Sequence, residues 1–346
     1  MTPAPSAALL ASLRRLGVMG DQIPPMHPLG GGVSSEVWRV DLPTGTVCVK
    51  RALPRLNVAA VWEAPVERSR FEVAWIEVAN GIVPGIGPEV LAHDDGGAIV
   101  MAYLDPATHP VWKAELRDGR ADPGLAAEVG RRLGRVHAAT SARPDLGRRF
   151  DNAGVFAVMR LAPYLGAVAA RHPDLAGELG AIRASFAGHT GALVHGDASP
   201  KNILAGPCGP VLLDSECATW GDPAFDLGFC ASHLLLKCRW NPTAAPRLLA
   251  CYDALVAAHL AEVTWEEPGA LAQRSARWVA ACLLARVDGL SPVEYLDEQG
   301  RQRTREVAHR LVAAGPPPGL AAIRHAWAVS LEPAATTAAP AGVARR

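Results

Sequence analysis

No two of the seven cysteines in this 346-residue chain form a Cys-x-x-Cys pair, and an odd number cannot all pair with one another. A zinc ribbon or a disulfide scaffold is therefore not the organising principle. Several cysteines lie in apolar runs, as in Phe229-Cys230-Ala231 and Ala281-Cys282-Leu283, and read as reduced, mostly buried small hydrophobes. A cytoplasmic setting follows as an expectation. Net charge is lacking too: 34 Lys and Arg balance 34 Asp and Glu, so no global field would hold nucleic acid or an anionic membrane. Clean apolar runs are short. The stretch Ala153 to Ala170 is broken by Arg160, below the roughly 18–20 uninterrupted residues of a spanning helix, so no membrane partner is expected. Ala7–Leu13 is apolar, but Arg14 and Arg15 follow it, whereas a secretory signal carries its charge in front. A short helix capped by Ser6 and closed by Gly17 fits better. Lysine is scarce, standing only at 50, 113, 201 and 237 among the 34 basic residues.

What is present suits an ordinary globular protein: 49% hydrophobic and 20% charged, with length for about two domains. The first hundred residues read as β-rich. Glu36–Val40 alternates like a half-buried strand, Leu42-Pro43-Thr44-Gly45 turns, and Thr46–Lys50 returns. Glu67–Ala79 has helical spacing. Glu89–Ala92 and Ala98–Met101 form a further strand pair across the Asp94-Asp95-Gly96-Gly97 turn. Beyond Leu104-Asp105-Pro106 the patterns turn helical over Leu125–Ala138, Phe156–Arg171 and Leu175–Phe186. A short mixed region, Ala192–Asp214, follows, and helices resume from Phe225. The reading is α+β: a small β-rich lobe over residues 1–104 (an N-terminal helix within 1–20), a larger helical lobe over 105–330, and a disordered Ala/Pro/Thr-rich tail over 331–346.

Chemistry concentrates in Val194-His195-Gly196-Asp197-Ala198-Ser199-Pro200-Lys201-Asn202-Ile203-Leu204. A second segment, Val211-Leu212-Leu213-Asp214-Ser215-Glu216, is an apolar strand ending in a carboxylate. Phosphoryl transfer needs positioning and charge neutralisation more than covalent help. A carboxylate must orient the acceptor hydroxyl, and oxygen ligands must hold a hard cation on the phosphates. Asp197, Asn202 and Asp214 are the right types for those tasks. Each alone is ordinary turn chemistry; their order and spacing carry the argument.

His-Gly-Asp-x-x-x-x-Asn followed by Leu-Leu-Asp, and then Gly221-Asp222-Pro223-Ala224-Phe225-Asp226-Leu227, resembles the aminoglycoside phosphotransferase and choline kinase superfamily, which includes methylthioribose kinases. The resemblance spans roughly residues 25–300. It implies the two-lobed protein-kinase-like fold, with Asp197 as catalytic base or hydroxyl-orienting group and Asn202 and Asp214 as magnesium ligands. It also implies that Asp226 buttresses the catalytic loop and that His195 shapes it. Glu216 stands where choline and methylthioribose kinases carry Asp-x-Glu, as a further metal ligand or, alternatively, a cap or surface carboxylate. Lys201 is either near the transferred phosphoryl group or a solvated loop lysine.

Upstream, Gly30, Gly31 and Gly32 would let backbone N–H groups approach phosphates. The resemblance also implies that Ser34 or Ser35 is a candidate phosphate contact. The cluster is neither a dinucleotide-binding fingerprint nor a Walker loop. Lys50 lies where the fold implied by the resemblance places the lysine of the α- and β-phosphates. A chain that defaults to Arg yet keeps Lys here calls for a compact ammonium. Glu72 is the expected helical partner, with Glu67 and Glu77 as alternatives, and Met101, Ala102 and Leu104 belong to the hinge that reads the base. The expected cofactors are ATP, with GTP left open, and Mg2+. The expected partner is a small hydroxyl acceptor: sugar-like, amino-alcohol or aminoglycoside-like. Candidates for its site are Asp222, Arg286, Asp288 and Glu294, with His233 and Trp240 nearby in sequence; helix capping and inter-helix packing are the alternative for each. The competing class is an inactive nucleotide-binding pseudokinase. A protein kinase is disfavoured, because His-Arg-Asp, Asp-Phe-Gly and a closing Ala-Pro-Glu are absent.

Overall fold

The computed structural model describes residues 4–30, 34–55, 63–189 and 191–332. In the first lobe, helix α1 (Ala7–Arg15) begins where the Ser6 hydroxyl accepts the Leu9 N–H at 3.1 Å. It ends at Gly17, whose φ of +68° favours glycine. Its Leu9 and Leu13 are fully buried against a five-stranded antiparallel sheet. The sheet is built from β1 (Met26–Pro28), β2 (Ser35–Leu42), β3 (Gly45–Ala52), β4 (Val90–His93) and β5 (Ala98–Ala102), in the order β1-β2-β3-β5-β4. Period-2 alternation sends Val47 and Val49 toward α1, each such burial contributing about 2 kcal/mol. Lys50 takes the opposite face. That face meets α2 (Arg68–Ile82), whose buried stripe runs Phe71, Glu72, Trp75, Ile76, Ala79 at helical spacing.

The second lobe opens with α3 (Trp112–Arg117), α4 (Pro123–Ser141, capped by the Asp122 carboxylate on Gly124 N–H), and the short α5 (Asp145–Arg149). A long helical stretch then runs through α6 (Ala153–Phe156), a π-helical segment Ala157–Gly166, and α7 (Ala167–Arg171). The sequence reads as an ordinary α-helix here, and the structure differs. Pro163 inside the segment has no N–H to donate and crowds the preceding turn, and wider i→i+5 turns accommodate it. By length and hydropathy alone Ala153–Arg171 could cross a membrane. In the fold, Phe156, Met159 and Tyr164 enter the core and Arg160 is bonded to a loop of the lobe.

After α8 (Ala176–Gly188), β6 (Ala192–Val194) pairs with β9 (Thr219–Gly221), and β7 (Ile203–Gly206) with β8 (Gly209–Leu212). The remaining helices are α9 (Ala224–Trp240), α10 (Ala245–Leu260), α11 (Pro268–Asp288), α12 (Glu298–Ala313) and α13 (Leu320–Leu331). Thus the first two residues of the expected tail belong to a helix end, and the rest lies outside the described residues. Two helix pairs pack at unusually short range. A Cβ on Gly130 of α4 would lie 2.2 Å from the Leu255 carbonyl of α10, and one on Gly228 of α9 would lie 2.5 Å from Trp278 Cβ of α11. Phe225, Phe229 and Trp278 fill that seam edge-to-face and stacked. All seven cysteines are unpaired, five of them buried.

Candidate active site

Lys50 reaches from the sheet to both lobes. Its Nζ donates to Glu72 Oε1 at 2.9 Å and Oε2 at 2.7 Å, and to Asp214 Oδ1 at 2.5 Å. Glu72, rather than Glu67 or Glu77, is therefore the helical partner in this structure. Burial works against the Lys50 charge, but Asp214 and Glu72 outweigh it and hold the ammonium well above its ordinary pKa. Burial would also raise Asp214, yet Lys50 and Lys201 hold it below the usual carboxylate range. Glu72, enclosed with two further acids, is pushed up to about 7 by its burial.

Glu216 completes the trio: one oxygen each of Glu72, Asp214 and Glu216 lies within 4.8 Å of the others. It is neither a cap nor a surface group. It is 2% exposed and accepts Arg68 Nε at 2.8 Å. Arg68 is itself fully buried and spends its other N–H groups on the carbonyls of Ser34, Leu53, Ala64 and Pro65. It thus fixes the start of α2 against the chain that follows the glycine cluster. Asp214 has φ +66°, the one non-glycine residue with positive φ among those described, and the twist swings its carboxylate toward Lys50. Asn202 is held beside it: the Leu213 N–H donates to the Asn202 carbonyl at 2.8 Å, and Asn202 Nδ2 donates to the Asp197 carbonyl at 3.1 Å. A hard cation suits this all-oxygen donor set.

The loop carrying Asp197 is built around Asp226 at the start of α9. Its carboxylate accepts the N–H groups of His195 at 2.7 Å and Gly196 at 2.9 Å, and shares a hydrogen bond with His137 Nε2 at 3.1 Å. Burial opposes its charge, but these partners keep the pKa low. Gly196 has φ +81°, and a Cβ there would meet the Cys217 carbonyl at 2.6 Å. His195 Nδ1 accepts the Asp197 N–H at 3.1 Å, and the ring packs edge-on to Trp75 of α2 at 4.7 Å. Burial lowers its pKa, so it is a neutral spacer between lobes. The Asp197 carboxylate meets two cations: Arg160 Nη2 at 2.9 Å and Lys201 Nζ at 3.3 Å.

On the nucleotide side, Ser35 Oγ and Ser199 Oγ are buried polar atoms without a partner among the described residues. Buried hydroxyls left without partners, on the strand pair of Lys50 and on the Asp197 loop, fit a phosphate-bearing ligand. Gly30 has open space around its Cα, while Gly31 and Gly32 lie outside the described residues. In the hinge, the Ala102 N–H is already spent on the Glu89 carbonyl at 2.9 Å, so it is not free to read a base. Met101 is buried with Val73 and Ile99, and Leu104 follows beyond the end of β5.

The model of the phosphotransferase enzyme family matches residues 26–271, most of the chain. This chain belongs to that family. Among curated relatives, methylthioribose kinase of Bacillus mycoides (strain KBAB4) is 25% identical over 61% of this chain and 60% of its own length. Methylthioribose kinase 1 of Oryza sativa subsp. japonica is 24% identical over 68% and 59%. The chain thus spans about 60% of the length of the curated relatives it matches. Among solved structures, a choline/ethanolamine kinase family protein from Mesorhizobium loti superposes with TM-score 0.54 at 19% identity, covering 92% of this chain and 97% of that one. A choline kinase from Cryptosporidium parvum Iowa II does so with TM-score 0.53 at 11% identity, covering 85% and 90%. These likenesses establish the two-lobed kinase-like fold.

For a phosphotransferase, the expected acceptor residues are placed unevenly. Asp222 is fully buried, caps α9 through Ala224 N–H and binds Arg274 at 2.9 Å. Asp288 is enclosed by Arg305 and His172, both at 2.8 Å. Both carboxylates are taken up by these partners and hold helices together. Glu294 is paired with Lys113 at the surface. Arg286 does point inward, donating to Tyr164 Oη at 3.1 Å. Arg160, Arg68 and His137 escape sequence reasoning. Arg160 shows only as a lone charge in an apolar helical run, and that is the signal that could have found it.

Proposed function

We propose that this phosphotransferase is an ATP- and magnesium-dependent small-molecule kinase that phosphorylates a hydroxyl group. The observation that carries the reading is the Lys50 ammonium bridging Glu72 of the small lobe and Asp214 of the large lobe, beside a loop that holds Asp197 on Asp226. Asp214, Glu216 and Asn202 are the residues to hold magnesium, with Glu72 close by; bound there, the ion neutralises charge on the phosphates. Lys50 and the orphaned Ser35 hydroxyl are the groups to meet phosphate oxygens. Asp197 accepts the acceptor hydroxyl's hydrogen bond and orients its oxygen for attack. As the new O–P bond forms, the bond between the γ-phosphorus and the β–γ bridging oxygen breaks, and Asp197 takes up the hydroxyl proton. Arg160 steadies the carboxylate and, with Lys201, places positive charge where the phosphoryl group crosses. The free, mostly buried thiols favour a cytoplasmic setting.

The test is Asp197→Ala, assayed by ADP release across neutral, cationic and anionic hydroxyl acceptors. Turnover should fall at least ~10³-fold, with magnesium–ATP binding retained. Full turnover in this variant refutes the assignment. A pseudokinase would bind nucleotide but release no ADP, whichever acceptor is supplied.

A further inference from the structure

The four lysines of this Arg-rich chain fall into two pairs. Lys50 and Lys201 touch Asp214 and Asp197. The other two meet on the large-lobe side. Lys237 of α9 is 1% exposed. Its ammonium lies 3.9 Å from the centre of the Tyr295 ring and 4.8 Å from that of Trp240, two rings stacked at 4.3 Å. Lys113 sits 5.6 Å from the centre of the same Tyr295 ring, and the single acid there, Glu294, is occupied by Lys113.

The polar atoms left without partners around Lys237 share one character. His233 Nε2, Arg286 Nε and Tyr295 Oη are buried and unpaired. With Lys237 Nζ they form a set that can donate to acceptor oxygens, His233 in the tautomer that carries its proton on Nε2. Burial and the neighbouring cations keep His233 neutral and push Lys237 down to about 7. The cluster adjoins the reacting loop. Tyr164, one turn beyond Arg160, binds Arg286, and Arg286 feels the charge of Asp197. An aromatic pair of this kind could stack on a cationic ligand, but here the Lys237 side chain already lies against both rings and takes that place.

Resting on the kinase reading above, we infer that the acceptor is a hydroxylated organic anion whose carboxylate or phosphate is held by Lys237, Arg286 and Tyr295 while its hydroxyl faces Asp197. The experiment titrates the full chain with glycerate, gluconate, glucose 6-phosphate and inorganic phosphate, and with ribose, methylthioribose, choline and streptomycin, at constant ionic strength. Binding is followed by tryptophan fluorescence and transfer by ADP release. At least one hydroxylated anion should saturate wild type and bind tenfold or more weakly to Lys237→Met, with affinity largely restored in Lys237→Arg. The arms separate carboxylate from phosphate recognition. The inference is overturned if no hydroxylated anion binds, if Lys237→Met binds as wild type does, if inorganic phosphate alone binds, or if only neutral or cationic acceptors are phosphorylated. Turnover of an anion that persists in Asp197→Ala would instead sink the kinase reading, with Lys237-dependent binding still measurable.

Discussion

Replacing Lys237 by Met should make the unliganded protein more stable. The side chains have similar length, so packing against Trp240 and Tyr295 is kept. What disappears is a buried ammonium whose pKa falls from 10.5 to about 7, chiefly through burial, with Lys113 and Arg286 adding to it and Glu294 opposing. A drop of that size corresponds to about 5 kcal/mol of destabilisation while the amine is charged in both folded and unfolded chains. The Met variant should therefore gain up to about 5 kcal/mol where the amine is charged in both states. The pH dependence follows from the same shift. Below about 7 both states carry the proton and the penalty is constant. Between about 7 and 10.5 the unfolded chain keeps a proton that the folded chain has released, so wild-type stability rises with pH and the gap closes. Urea denaturation of both proteins at pH 6 and pH 9 reads this directly. A Met variant no more stable than wild type at pH 6, or a gap that does not change with pH, refutes the reasoning.

Gly196→Ala should lower stability by at least ~2 kcal/mol in thermal or urea denaturation, because the left-handed backbone and the Cys217 carbonyl both reject a Cβ. Arg68→Met leaves Glu216 buried without its partner and should cost ~3–5 kcal/mol; adding Glu216→Gln should recover part of that loss by the same measurement. Arg160→Met frees the Asp197 carboxylate from its 2.9 Å partner. It should reduce kcat about 10–100-fold with nucleotide KM little changed in steady-state kinetics.

The two lobes and most of their elements were readable because local rules agreed there. Leu42-Pro43-Thr44-Gly45 closes a hairpin at Gly45, alternation sends Lys50 away from α1, and the Phe71–Ala79 spacing buries Glu72 with its apolar neighbours. Asp197, Asn202 and Asp214 stood out because turn chemistry compresses them into one stretch. Arg68 and Arg160 did not, because their partners lie 148 and 36 residues away in the chain, and an arginine in an apolar helix looks the same whether it meets water or a carboxylate. The π turns were equally hidden, since ten residues cannot separate a 3.6 from a 4.4 period. Asp222 and Asp288 read as acceptor-site carboxylates, but a carboxylate in the sequence does not say whether it faces ligand or a buried arginine. Lys237 was masked by the apolar run Leu234-Leu235-Leu236 before it. The scarcity of lysine, used to single out Lys50, applied equally to Lys237.

That scarcity has a practical side. Besides the α-amine, an acylating reagent that modifies primary amines finds only four side chains on the whole protein, and two of them, Lys50 and Lys201, pair with Asp214 and Asp197. Peptide-level counting of the adducts, with or without nucleotide and acceptor, therefore becomes a footprint of those two carboxylates, obtained from an otherwise indiscriminate reagent.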